Sequence, residues 1–138
     1  MAADPEVVEA LRTTDLFSSM SRRTLQKLAA RTETTSHPAG KQIIEQGGSG
    51  VGFHLITSGN ATVVVSGQKR QDLGPGDYFG EIALIDGRPR SATVTATTDL
   101  TTLFLSSWVF KPLLAEEVEL AHALLLVMCA RLRALEGH

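Results

Sequence analysis

Hydrophobic and polar positions change texture twice along the chain. Near the N-terminus Val7, Val8 and Leu11 recur at helical spacing behind Asp4 and Pro5. That pattern predicts a short helix over Pro5 to Leu11, capped by Asp4 and with proline in its first turn. Ser18, Ser19 and Met20 break the pattern, and Leu25, Leu28 and Ala29 resume it, which predicts a second helix over Ser21 to Ala30. From Arg31 the period shortens. β-prone runs occupy Glu33 to His37, Gln42 to Glu45, Gly52 to Ser58, Ala61 to Ser66, Gln68 to Leu73, Ser91 to Ala96 and Thr101 to Leu105. Turn signals separate them, among them Pro38-Ala39-Gly40, Ser58-Gly59-Asn60 and Gly74-Pro75-Gly76. Many short strands at this spacing predict an antiparallel sandwich or barrel, best drawn as a jelly roll.

The last third is helical again. Ser106 or Ser107 caps a helix through Leu114 that Pro112 limits or kinks. Glu116, Glu117 and Glu119 fill the first turn of a longer helix, Arg131 and Arg133 lie near its other end, and Gly137 stops it. Within it Leu120, Ala121, Leu124, Leu125, Val127, Met128, Leu132 and Leu135 cover more than one stripe, so two faces need cover. Cys129 reads as a core thiol, and Trp108 and Phe110 as packing residues of the junction helix. The expected fold is mainly β with flanking helices: an antiparallel β jelly roll with N-terminal helices and a C-terminal helical lid or dimer helix. It forms one domain over 1–138, divided as 1–31, 32–105 and 106–138.

Composition narrows the function. The 138 residues carry 13 basic and 15 acidic side chains, a formal charge of −2, so no basic excess awaits a nucleic acid. One cysteine excludes an internal disulfide and a cysteine-based metal cluster. Asp4 and Glu6 stand where a signal peptide would be basic. The apolar run Val118 to Ala130 is interrupted by Glu119 and His122 and is too short to span a bilayer. A cytoplasmic protein without nucleic-acid or membrane partners is expected. The four histidines show no ligand spacing, so neither a metal site nor a catalytic triad is expected.

The chemistry concentrates in Phe79 to Val94. Gly80 permits close backbone approach. Glu81 opens a short helix, Glu81 to Leu84, whose free N–H groups suit a phosphate. Gly87 and Pro89 force a turn, and Arg90 follows where the loop meets the next strand. Its planar fork of donors can grip a phosphate bidentately, and the Ser91 hydroxyl can donate to the same group. An acceptor-only carboxylate and a donor-only guanidinium thus lie nine residues apart around a turn. A small ligand with hydroxyls at one end and an anion at the other satisfies both. The alternative is a surface salt bridge closing the loop.

The order Phe79-Gly80-Glu81-Ile82-Ala83-Leu84, then a loop, then Pro89-Arg90-Ser91-Ala92-Thr93-Val94, resembles the phosphate-binding cassette of cyclic nucleotide-binding domains. The resemblance implies that Glu81 accepts the ribose 2′-hydroxyl and that Arg90 pairs with the cyclic phosphate. It also implies that backbone N–H groups at Gly80, Ile82 and Ala83 complete the cradle, with Ser91 and Ala92 lining its return. A serine at position 91 goes with cyclic AMP, cyclic GMP being the second choice. In the same resemblance the loop after Gln46-Gly47 carries two acids, where this chain has Gly48 and Val51, and His54 stands where an aromatic is commoner. The implied function is a stand-alone cyclic nucleotide sensor, not an enzyme. It needs no cofactor beyond its ligand and relays binding through the C-terminal helix to a second copy or an effector protein. Two alternatives stand beside it. One is the regulatory part of a transcription factor, although the helix-turn-helix of such proteins would lie beyond His138. The other is a ligand-free dimerisation scaffold.

Overall fold

A computed structural model describes residues 3–47, 52–86 and 91–137. Along the chain run α1 (Pro5–Arg12), α2 (Arg22–Ala30), β1 (Glu33–His37), β2 (Gln42–Ile44), β3 (Gly52–Ser58), β4 (Ala61–Val65) and β5 (Gln68–Leu73). There follow β6 (Tyr78–Phe79), α3 (Glu81–Asp86), β7 (Thr93–Ala96), β8 (Leu100–Ser106), α4 (Ser107–Glu116) and α5 (Val118–Glu136). They form two compact units, Thr32–Lys111 and the pair of segments Met1–Arg31 and Pro112–His138.

The first unit is an antiparallel β sandwich. One four-stranded sheet runs β1-β8-β3-β6 and the other β2-β7-β4-β5. Chain neighbours alternate between the sheets, as in a jelly roll, except for the β4–β5 hairpin. Alternation along the strands sends Ile44, Ile56, Ala61, Leu73, Phe79, Val94, Ala96 and Leu100 into one buried apolar cluster between the sheets. The corner between β3 and β4 depends on Gly59, whose φ is +89° and whose absent Cβ would sit 2.1 Å from the Asp99 carbonyl oxygen. No side chain fits there. Asn60 then ties the corner to the β7–β8 turn, donating its N–H to Thr98 Oγ1 (2.9 Å) and accepting from Thr97 N–H (3.0 Å).

The second unit is helical. Asp4 caps α1 by accepting the Glu6 N–H at 2.9 Å, and Ser21 caps α2 by accepting the Thr24 N–H at 3.2 Å. The Glu119 carboxylate of α5 accepts from the Ser21 N–H, and Glu117 pairs with Lys27 of α2 at 2.5 Å. Leu120, Ala123 and Leu124 are the buried residues of α5, and Gly137 ends it at φ 76°.

Sequence expectations are corrected at Cys129, at Trp108, at the end of the junction helix and at Tyr78–Phe79. Cys129 is exposed, and Trp108 is 67 % exposed while Phe110 is buried. Residues two apart on a helix point to opposite sides, so Trp108 and Phe110 cannot share a buried face. On α5 the second apolar face, Leu125, Leu126, Leu132 and Leu135, is exposed within this chain. The junction helix does not end at Leu114 but continues through Pro112 to Glu116. Finally, Tyr78–Phe79, which no expected strand includes, forms a two-residue strand on β3. The loop expected to be altered at Gly48 to Val51 lies outside the described residues.

Candidate functional site

The site grows from β3. The turn before β6 is tied to it twice: Gly76 donates to the Ile56 carbonyl and Ile56 to the Asp77 carbonyl, both at 2.9 Å. Asp77 closes the turn, its carboxylate accepting the Gly74 N–H at 2.8 Å. Two residues of β6 follow, Tyr78 opposite Leu55 and Phe79 opposite His54. Gly80 then turns the chain with φ 92°, a value that an L side chain resists. Glu81 is the first residue of the six-residue helix α3 and is half-buried. Ile82 and Ala83 lie in the first turn of α3. Gly80, Glu81, Ile82 and Ala83 are therefore brought together at the exit of β6.

The return strand is fixed independently. Ser91 is exposed and Ala92 half-buried just before β7. Thr93 opens β7 opposite Val64 and accepts the Gln46 N–H at 3.0 Å. The Gln46 side-chain oxygen in turn accepts the Ser66 N–H at 2.8 Å. The end of β2, the β4–β5 turn and the start of β7 are thus pinned together. Arg90, the residue on which the sequence reading places the phosphate, lies outside the described residues, as do Gly87, Arg88 and Pro89.

Behind β6 stands a polar group that the sequence reading treats as ordinary strand residues. His54 is buried at 7 % exposure. Its ring stacks on Phe79 (centroids 5.0 Å apart, 14° between planes) and lies tilted on Phe104 at 4.9 Å. His54 Nδ1 is 2.8 Å from Thr102 Oγ1. Thr102 Oγ1 is 2.7 Å from Thr35 Oγ1, which is 3.1 Å from His37 Nε2. Burial, helped by the Lys41 charge, pushes the His37 imidazole below its ordinary value. The signal for this group was the period-two pair Thr35 and His37, but Thr102, which joins them to His54, lies 67 residues from Thr35 and 48 from His54 along the chain.

Among the described residues no cluster of three or more histidine, cysteine or acidic side chains is placed to hold a metal ion. No described helix is long and apolar enough to cross a membrane.

Two four-stranded antiparallel sheets wound in this way form a jelly-roll sandwich. Comparison with known proteins narrows that class. Residues 34–117 match the cyclic nucleotide-binding domain family. The chain is 44 % identical over 110 residues to the cAMP-dependent protein kinase regulatory subunit of Eremothecium gossypii, covering 79 % of this chain and 24 % of that protein. It superposes on cAMP-bound PfPKA-R (141–441) with a TM-score of 0.72 at 29 % identity, covering 79 % of this chain and 39 % of that one. It also superposes on the N-terminal domain of a transcriptional regulator from Streptomyces coelicolor A3(2), with a TM-score of 0.78 at 27 % identity and 93 % coverage of each. The chain belongs to the cyclic nucleotide-binding domain family. It spans about a quarter of the length of the curated relatives it matches.

Proposed function

We propose that this chain is a regulatory module that binds a 3′,5′-cyclic nucleotide, cyclic AMP in preference to cyclic GMP, and catalyses nothing. The observation that supports this best is the placement of Glu81. It leads α3 directly after the positive-φ Gly80, at the end of a strand tied to β3. In this reading the Glu81 carboxylate accepts the ribose 2′-hydroxyl. The N–H groups of Gly80, Ile82 and Ala83 and the Arg90 guanidinium hold the phosphate, with Ser91 and Ala92 at the return. The regulatory-subunit relatives and the cAMP-bound neighbour support the same ligand. Residues 1–138 act as one domain in the cytoplasm. The response passes along the chain from β8 through α4 into α5. The exposed leucines of α5 meet a second copy or an effector protein. A ligand drives that response only as far as it binds the two arrangements differently.

Calorimetry with cyclic AMP and cyclic GMP on the parent and on Arg90→Ala tests the reading. Micromolar or tighter binding of cyclic AMP is expected, with the mutant weakened by about 2–5 kcal/mol, as for a broken buried charge pair. Equal binding by parent and mutant overturns the role of Arg90. No binding by the parent overturns the function and leaves a dimerisation scaffold.

A further inference from the structure

The polar chain behind β6 has a proton rule built into it. Its three contacts link His37 Nε2, Thr35 Oγ1, Thr102 Oγ1 and His54 Nδ1. Each contact uses one hydrogen. The two hydroxyls supply two, so one imidazole must donate and the other must accept. The direction follows from His37 Nδ1, which is buried and has no hydrogen-bond partner among the described residues. If His37 donates from Nε2, its Nδ1 keeps only a bare lone pair. If the chain runs the other way, His37 must carry its hydrogen on Nδ1, a buried donor with nothing to receive it. Leaving a buried donor unmet costs more than leaving an acceptor bare. The neutral chain therefore runs from His37 to His54.

Acid has no good place to go. A proton added to His37 creates the unmet Nδ1–H directly. A proton added to His54 makes its Nδ1 a donor, reverses the chain and moves the His37 hydrogen to Nδ1. Either route ends at the same orphaned group. Two added protons would bring four hydrogens to three contacts and turn one hydroxyl away. β8 carries no ionisable side chain. The ionisable groups on the other packed elements are Glu33 on β1, Tyr78 on β6 and Glu81 and Asp86 on α3. In the flanking turns are Lys41, Asp77 and Asp99, the last of which accepts the Ala39 N–H. Of these, Lys41 acts on His37 and opposes a second positive charge.

The far end of the chain is the His54 ring, which lies flat on Phe79, the residue before Gly80 and Glu81. We propose that the His37–Thr35–Thr102–His54 chain is a proton-sensitive support for the cassette. Uptake of one proton leaves the His37 Nδ1–H unmet, loosens the chain and with it the His54–Phe79 stack, and weakens cyclic nucleotide binding. The proposal concerns the regulation of the site described above and rests on the cyclic nucleotide reading of it. The cyclic phosphodiester keeps its single charge across the histidine range, so the ligand itself does not supply the effect.

The test is calorimetry with cyclic AMP at about pH 7.5 and about pH 5.5, which bracket histidine titration. It uses the parent, His54→Phe and Thr35→Val. His54→Phe keeps an aromatic on Phe79 but removes the end of the chain, and Thr35→Val cuts its middle while keeping the shape. The parent is expected to bind about fivefold more weakly at the lower pH, the low end of coupling between linked sites. Both variants should lose most of that difference. A parent with equal affinity at both values overturns the proposal, as does an equal loss in His54→Phe. If the parent binds at neither pH, the nucleotide reading has failed and the coupling fails with it. The chain itself is read separately by long-range imidazole ¹H–¹⁵N spectra of the unliganded protein. Both neutral rings should carry their hydrogen on Nε2. A hydrogen on His37 Nδ1 refutes the stated direction whatever the ligand does.

Discussion

Replacing Gly59 by alanine isolates what closes the corner of the roll. Two penalties act at that position. Its φ of +89° lies in the left-handed region, which costs an L residue about 1–2 kcal/mol. The new methyl would also lie 2.1 Å from the Asp99 carbonyl oxygen and 3.0 Å from Leu100 Cα, both backbone atoms that cannot swing aside. Forcing an extra carbon into such a place costs about 1–3 kcal/mol. Alanine returns about 0.4–1 kcal/mol by stiffening the unfolded chain. The net expected loss is about 3 kcal/mol, which lowers the melting temperature by about 12 °C for a chain of this length. Gly40 supplies the control. Its φ is +87°, nearly the same, but nothing lies within 4 Å of its absent Cβ. Gly40→Ala should therefore cost about 1 kcal/mol, strain less the entropy returned. Urea and thermal unfolding followed by circular dichroism measure both. Equal losses in the two variants would refute the argument, because then backbone strain alone, and not the approach of the two corners, sets the requirement for glycine.

Glu81→Ala should weaken cyclic AMP by about 1.5–3 kcal/mol, the worth of a hydrogen bond to a charged group. The same variant should bind 2′-deoxy cyclic AMP as the parent does, since the missing hydroxyl and the missing carboxylate are one contact; calorimetry of the four combinations decides it. Leu124→Ala, at a buried position of α5, should cost about 2–5 kcal/mol in urea unfolding. Leu125→Ala next to it, 63 % exposed, should stay within about 0.5 kcal/mol. Stability should fall with acid in two stages. The His37 contribution is complete above its ordinary value of 6.5 and is lost as pH drops below that toward its lowered folded value. The Glu117 carboxylate, held down by its hydrogen bond from Lys27, keeps its contribution above 4.5 and loses it as pH falls through its lowered value; Lys27→Met should remove that second stage from the unfolding profile.

How far the sequence was legible follows the reach of its patterns. Helix caps at Asp4 and Gly137, and strand runs such as Gly52 to Ser58, depend on neighbours within a few residues and stand as read. β6 was not legible, because two residues carry no alternation and become a strand only through β3. Cys129 was misplaced because α5 is apolar nearly all round, so no stripe tells the buried Leu120, Ala123 and Leu124 from the exposed turn beyond them. The turn at Gly80 and the helix that Glu81 opens were legible from adjacent residues, and Arg90 lies outside the described residues. The histidine chain was not, since it joins β1, β8 and β3 across contacts that only the folded sheet makes.

The four outer strands of the sandwich bear on how copies of the chain can meet. β5 is short and exposed until its last residue, with Lys69 and Asp72 paired across it at 2.7 Å and Arg70 between them. β2 has three residues and a register irregularity, β6 has two, and β1 is made of Glu33, Thr34, Thr35, Ser36 and His37. None offers the long, flat, apolar border that recruits a further strand. Sheet-to-sheet polymerisation is thereby discouraged at each border, and fibril growth has no ready template in the folded roll. Self-association through this protein's described surface is left to side-chain packing on its helices, a mode that concentration can reverse.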